Sequence, residues 1–244
     1  MTRVPPRRLG ILGGMGPEAT VLMMQKLIDR VPATDDRDHI PLLVDMNTQV
    51  PSRIAWLIEG RGEDPGPVLV AMARRLEAMG AEALAMPCNT AHHWAPDIRA
   101  AVGVPFLDML ALSARAARAR AGAGGVVGIL ASPAVRRTGD FARALEAEGL
   151  RPAWPDDEDA LLAAIRAIKR HGPDAAARAA LGAASASVMG QGARVQLVAC
   201  TELSLIADAA DPGAEVMDTL DILVDAAVRF ALGGDEGDGA DGAG

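Results

Sequence analysis

What the sequence lacks narrows it first. It has no tyrosine, and only three tryptophans and three phenylalanines stand among 244 residues. So few rings argue against a surface that stacks nucleic-acid bases. A net charge of −8 argues likewise against a general affinity for phosphate backbones, although a local cationic site can oppose the global sign. No run of about 18 uncharged apolar residues occurs, so no membrane span is expected. Residues 1–8 are basic and proline-rich, but the apolar stretch after them is too short for a secretory leader. Cysteine is nearly absent too: Cys88 and Cys200 are the whole supply. In a chain read as leaderless they are expected to be reduced thiols in the cytoplasm, not a disulfide.

What is present is ordinary globular material, 50% apolar and 23% charged, long enough for one large domain or two modest ones. Residues 8–12 read as a buried strand, broken by Gly13-Gly14-Met15-Gly16-Pro17, and helical spacing follows over 18–31. Pro17 suits a first helical turn, and the free N–H groups there favour a carboxylate or phosphate. Gly14 to Ala19 fits a G-x-G-x-x-A dinucleotide fingerprint. The acidic residues about 20 positions on, Asp35 and Asp36, fall in a polar loop instead of a strand end. An anion-binding or purely structural turn therefore stands beside that reading.

A strand over 41–46 leads to a polar stretch with Arg53 at the start of a short helix. An amphipathic helix over 68–79 ends at Gly80. The Cys88 strand follows, then a helix to about 102, a short strand over 104–107 and a helix over 111–121. Gly122 to Gly125 suggests a boundary between halves. The second half repeats the outline, with a strand over 126–130, a turn over 131–139 and a helix over 141–148. Helices over 158–170 and 174–189, the Cys200 strand and a closing helix over 220–232 complete it. Residues 233–244 are only Gly, Ala, Asp and Glu, a disordered composition. Alternating strands and helices predict an α/β fold with parallel sheets, whose ligands bind beyond the strands' carboxyl ends.

Both cysteines fall at such ends, in Met86-Pro87-Cys88-Asn89-Thr90-Ala91-His92-His93 and in Val198-Ala199-Cys200-Thr201-Glu202. The bland reading of either is a small buried hydrophobe. At a helix N-terminus, however, the macrodipole and free N–H groups favour thiolate. Asn89, Thr90, Thr201 and Glu202 are placed to hydrogen-bond or orient the sulfurs. One nucleophilic cysteine would need a histidine base. His92 and His93, one turn on, also permit a Cys/His metal site, but no third or fourth ligand stands at metal-like spacing. Two matched thiols suit removal and return of a proton on opposite faces of one carbon, the chemistry of a cofactor-free racemase or epimerase.

Residues 10–20, Gly62-Glu63-Asp64-Pro65, Pro87-Cys88-Asn89-Thr90-Ala91-His92 and Cys200-Thr201-Glu202, in this order, resemble the aspartate/glutamate racemase family. The likeness runs from about residue 8 to 232. It implies two similar Rossmann-like three-layer α/β domains whose parallel sheets face each other across a cleft, usually in a homodimer. The expected division is 1–121, with the helix over 217–232 packing back on it, and 122–216. The resemblance further implies that Cys88 and Cys200 are the paired acid and base, and that Arg53 and Lys169 bind the substrate's carboxylates. Met15, Asn89, Thr90, Thr138, Thr201 and Glu202 fall at pocket positions. Neither metal nor cofactor is implied. The expected substrate is a small acidic amino acid, aspartate before glutamate. Ser52, where the family usually has an acidic residue, leaves the substrate open, whereas Ala199 and Ser204 alter only the second cysteine's turn. A non-catalytic dicarboxylate or amino-acid binding protein, and a decarboxylase or isomerase of the wider superfamily, are the other readings.

Overall fold

Two four-stranded sheets, each wholly parallel, carry the chain. The computed structural model describes residues 5–233, so the expectation for the acidic tail beyond Gly233 lies outside the described residues. The first sheet holds β1 (Leu9–Gly13), β2 (Leu42–Met46), β3 (Ala83–Ala85) and β4 (Phe106–Leu107), in the order β2-β1-β3-β4. The second holds β5 (Val126–Leu130), β6 (Arg151–Ala153), β7 (Val195–Val198) and β8 (Glu215–Asp218), in the order β6-β5-β7-β8. The two orders are the same, so the expected repeat of architecture is real.

Central strands of a parallel sheet are covered on both faces and read as continuous apolar runs. β1 is buried at all five positions and β7 at all four. Gln196 is the polar exception in β7. It lies within 2.6 Å of the Ser185 hydroxyl and donates to the carbonyls of Ser185 and Ala193, so its burial leaves no unmet polar group.

The helices are α1 (Pro17–Arg30), α2 (Arg53–Leu57), α3 (Gly66–Ala78), α4 (Ala95–Ala101), α5 (Met109–Ala121), α6 (Pro133–Thr138), α7 (Asp140–Ala147), α8 (Glu158–His171), α9 (Ala175–Gly190) and α10 (Thr219–Leu232). They sort into four apolar clusters, two per sheet. Leu220, Leu223, Val224, Ala227 and Ala231 of α10 share a cluster with Leu9 and Ile11 of β1. The last helix thus returns to the first sheet. Leu110, Ala114 and Ala117 of α5 pack with Val127 and Leu197 of the second sheet. Among the described residues no helix is long and apolar enough to cross a membrane.

Three local expectations change. Residues 131–139 are not a plain turn, because Pro133 opens α6 and Gly139, at φ 70°, closes it. The strand expected over 104–107 narrows to Phe106–Leu107. β6 and β8, which the sequence reading lacks, are outer strands of the second sheet and mostly half-exposed.

Candidate active site

The carboxyl ends of both sheets supply the side chains. At the end of β1, Gly14 has φ 90°, and a Cβ there would lie 2.4 Å from backbone atoms of Asn47. Only glycine lets this loop lie against the end of β2. Thr20 Oγ1 accepts from Gly14 N at 3.0 Å and donates to Gly16 O at 3.3 Å. The pinned loop turns Met15, 3% exposed, into the wall of a cavity.

Arg53 opens α2, whose N-cap is Ser52, its hydroxyl accepting from Ala55 N at 3.2 Å. The guanidinium donates to the carbonyls of Val50, Pro51 and Met15. These bonds aim the group without neutralising it. Among the described residues no carboxylate pairs with Arg53, which suits it to an incoming one.

Past β3, Cys88 is buried, and its turn is held from behind by His92. Nδ1 of His92 lies 2.8 Å from Cys88 O, and Nε2 lies 3.1 Å from Met109 N at the start of α5. Nε2 must accept from that N–H, so the proton sits on Nδ1 and is donated to the cysteine carbonyl. Burial pushes the ring's pKa down against the pull of Asp108 and the Cys88 carbonyl. His92 is therefore a neutral strut between the cysteine turn and α5, not a base for the sulfur. His93 points elsewhere, to Asp140 Oδ2 at 3.0 Å. Among the described residues no three His, Cys, Asp or Glu side chains converge as a metal site.

Asn89 is 5% exposed; its Nδ2 donates to Thr219 Oγ1 at 3.0 Å, and that hydroxyl donates to Val198 O of the second sheet. Its Oδ1 is buried without a partner. An orphaned buried acceptor costs roughly 1–3 kcal/mol, which a ligand N–H would relieve.

Beyond β7, Cys200 Sγ donates to Glu202 Oε2 at 3.0 Å, and Glu202 Oε1 lies 2.8 Å from Lys169 Nζ in the last turn of α8. Burial, then the Glu202 charge and its acceptor oxygen, push the Cys200 pKa well up, with Lys169 opposing. This corrects the expectation of a thiolate favoured by a helix dipole. The segment after Cys200 is a 3₁₀ stretch, Leu203–Ala209, broken at Ile206, so no long aligned dipole forms, and burial with the adjacent carboxylate decides. Burial pulls Lys169 down, but Glu202 outweighs it, helped by Cys200 and then Cys88, so its pKa ends above the ordinary value. One cation is thus within electrostatic reach of both sulfurs.

The two cysteines line one cavity. Met15, Arg53, Asn89, Thr90, Lys169, Thr201 and Glu202 stand around it. Thr138 is not in its lining; at the end of α6 it donates back to Val135 O at 3.1 Å. The sequence reading did not assign Ser52 and Ser132 to the pocket, yet both line it. Their signals were the residue before Arg53 and the polar turn after β5.

A family model described as Asp/Glu/Hydantoin racemase matches residues 12–227. The aspartate racemase of Picrophilus torridus superposes with a TM-score of 0.77 at 27% identity, covering 92% of this chain and 94% of that one. An aspartate racemase homologue from Pyrococcus horikoshii shares the fold, with a TM-score of 0.73 at 23% identity, covering 92% and 99% of the two chains. The broad specificity amino-acid racemase RacX of Bacillus subtilis is 31% identical over 106 residues. That match spans 42% of this chain and under half, 45%, of RacX. With the family model running through both sheets and both cysteine turns, the chain belongs to the Asp/Glu/Hydantoin racemase family.

Proposed function

We propose that this protein racemises an amino acid at Cα by proton transfer between Cys88 and Cys200, with no cofactor, and that aspartate, then glutamate, is its substrate. The observation that carries the reading is one cavity lined by two thiols, each from the end of a different sheet, together with Arg53 and Lys169. Both cysteines are free, as the chemistry needs, and we place the protein in the reducing cytoplasm as a homodimer on the family likeness.

Arg53, unpaired by any carboxylate among the described residues, takes the α-carboxylate. The orphaned Asn89 Oδ1 accepts from the substrate's ammonium, with the Thr90 and Thr201 hydroxyls beside it. Lys169 has three N–H donors and shares them between Glu202 and the side-chain carboxylate. In one direction the Cys88 thiolate takes the Cα proton, and the electron pair of that C–H bond is left on an enolate-like carboxylate. Cys200, held as a thiol by Glu202, delivers its proton to the opposite face and becomes the thiolate. Reversal exchanges the roles. Arg53 and Lys169 stabilise the charge that develops, the larger share of the task.

The test is deuterium incorporation from heavy water at Cα of L- and D-aspartate and glutamate, with Cys88→Ser and Cys200→Ser beside the parent. Racemisation is expected to fall by about a hundredfold or more in either variant. Full exchange from both isomers in both variants would falsify the two-thiol reading.

A further inference from the structure

A second cavity shares Lys169, Thr201 and Glu202 with the cleft. It runs between α1 on one side and α8 with the 3₁₀ stretch Leu203–Ala209 on the other. Ala19, Leu22, Ile168 and Leu205 give it apolar walls. Its charged groups are Glu18, Glu202, Lys169 and Arg170, two of each sign. With charge balanced, removal of apolar surface from water is what a guest gains there.

The partition between the two spaces is the Lys169–Glu202 pair. Glu202 is the fixed half, 10% exposed at its side chain and holding the Cys200 thiol. Lys169 is the movable half, 37% exposed at its side chain, on a flexible four-carbon stem. Its charge is already answered by Glu202. With the Cys88 thiolate of the mechanism above, the cleft's charges, Arg53, Lys169, Glu202 and that sulfur, therefore sum to zero. That matches a neutral amino acid, whose α-ammonium and α-carboxylate also sum to zero. A second carboxylate must compete with Glu202 for Lys169, so charge does not confine the site to dicarboxylates.

Resting on the two-thiol reading above, we propose that the protein also racemises neutral amino acids with long unbranched side chains, such as methionine and norleucine. The side chain lies past the Lys169–Glu202 pair, between Ala19 and Leu22 on one wall and Ile168 and Leu205 on the other. Arg53, the thiols and Asn89 act on such a substrate as they do on aspartate, and Lys169 swings aside. The cavity supplies the selectivity, since each fitting methylene changes kcat/KM by about tenfold or more.

The test uses the full chain and follows Cα deuterium exchange with L-methionine, L-norleucine, L-alanine, L-aspartate and L-glutamate. The expected kcat/KM for methionine and norleucine exceeds that for alanine at least tenfold. Leu205→Trp fills the second cavity from a residue that is 39% exposed. It is expected to lower the methionine-to-alanine ratio at least tenfold, and Leu22→Trp repeats the fill from the opposite wall. Exchange of aspartate or glutamate without methionine overturns the inference and leaves the two-thiol reading standing. Methionine exchange indifferent to both tryptophans also overturns it, because the side chain then lies elsewhere. No exchange of any amino acid sinks the two-thiol reading and this inference with it.

Discussion

At the scale of the residue, burial and one carboxylate together set the Cys200 thiol. Glu202 meets the Cys200 thiol with one oxygen and Lys169 with the other. Its negative charge raises the thiol's pKa while its acceptor oxygen fixes where the proton points. Replacing Glu202 by Gln keeps the size and removes the charge, leaving Lys169 as the nearest ion. The Cys200 pKa is then expected to fall. In a Cys88→Ser background, the pH midpoint of Cys200 alkylation by iodoacetamide should move down, and parent-background racemisation should drop by roughly a hundredfold. An unmoved midpoint would show that burial alone sets the thiol. Much of this was legible beforehand: two cysteines at two strand ends, with polar residues after each. Lys169 was legible only through the family resemblance, because by its own pattern it is one more lysine near a helix end, 31 positions before Cys200. Only the folding of α8 over the second sheet brings its ammonium to Glu202. The reason Thr138 lies outside the cavity lining is likewise local, its hydroxyl being spent on the preceding turn of α6.

Among the elements, α10 shows a cap whose chemistry depends on pH. Asp218 is its N-cap, accepting from Leu220 N at 2.8 Å and from the Ser204 hydroxyl at 2.9 Å. Burial raises its pKa from 3.8 to about 6, against the two hydrogen bonds that favour the carboxylate. A carboxyl whose folded pKa is raised binds its proton more tightly in the folded state. Its contribution to stability is therefore fullest below about pH 4 and is lost as pH rises through about 6. Asp218→Asn keeps an acceptor at the cap and cannot ionise. It is expected to be more stable than the parent at pH 7, with the difference shrinking as pH falls from 6 to 4. Urea unfolding across that range measures it, and a difference independent of pH would refute the assignment. Elements differed in how plainly they could be read. β1, β5 and β7 lie centrally in their sheets, and burial on both faces forces uniform apolar runs. Edge strands carry no such constraint: β6 is Arg-Pro-Ala and β8 begins and ends on an acid. In α6, Pro133 and Gly139 read as turn signals because the same residues that punctuate loops also open and close helices.

For the whole molecule, a cleft with one thiol from each sheet works only if the sheets keep their places. We propose the division 1–121 with 217–232 and 122–216, supported by the way α10 rejoins the first sheet's core after the chain has built the second. Side-chain bonds also cross between the halves, from Arg137 to Ile58 O at 2.9 Å and from Arg166 to Glu59 at 3.3 Å. They are exposed, and exposed pairs contribute little, typically under about 1 kcal/mol each. Apolar packing of α10 against α1, α5 and β1 is the larger force. Leu223, fully buried in that cluster, is its test. Leu223→Ala should cost about 2–5 kcal/mol, a large part of the roughly 5–15 kcal/mol that holds an ordinary domain. Because Leu223 touches neither thiol's cavity, kcat per folded molecule should stay within about twofold of the parent at 20 °C (a difference under roughly 0.5 kcal/mol). Chemical denaturation read beside Cα deuterium exchange separates the two quantities. Lost activity at unchanged stability would mean that α10 shapes the cleft directly, whereas lost stability with retained chemistry would mark it as the tie that closes one lobe after the other is made.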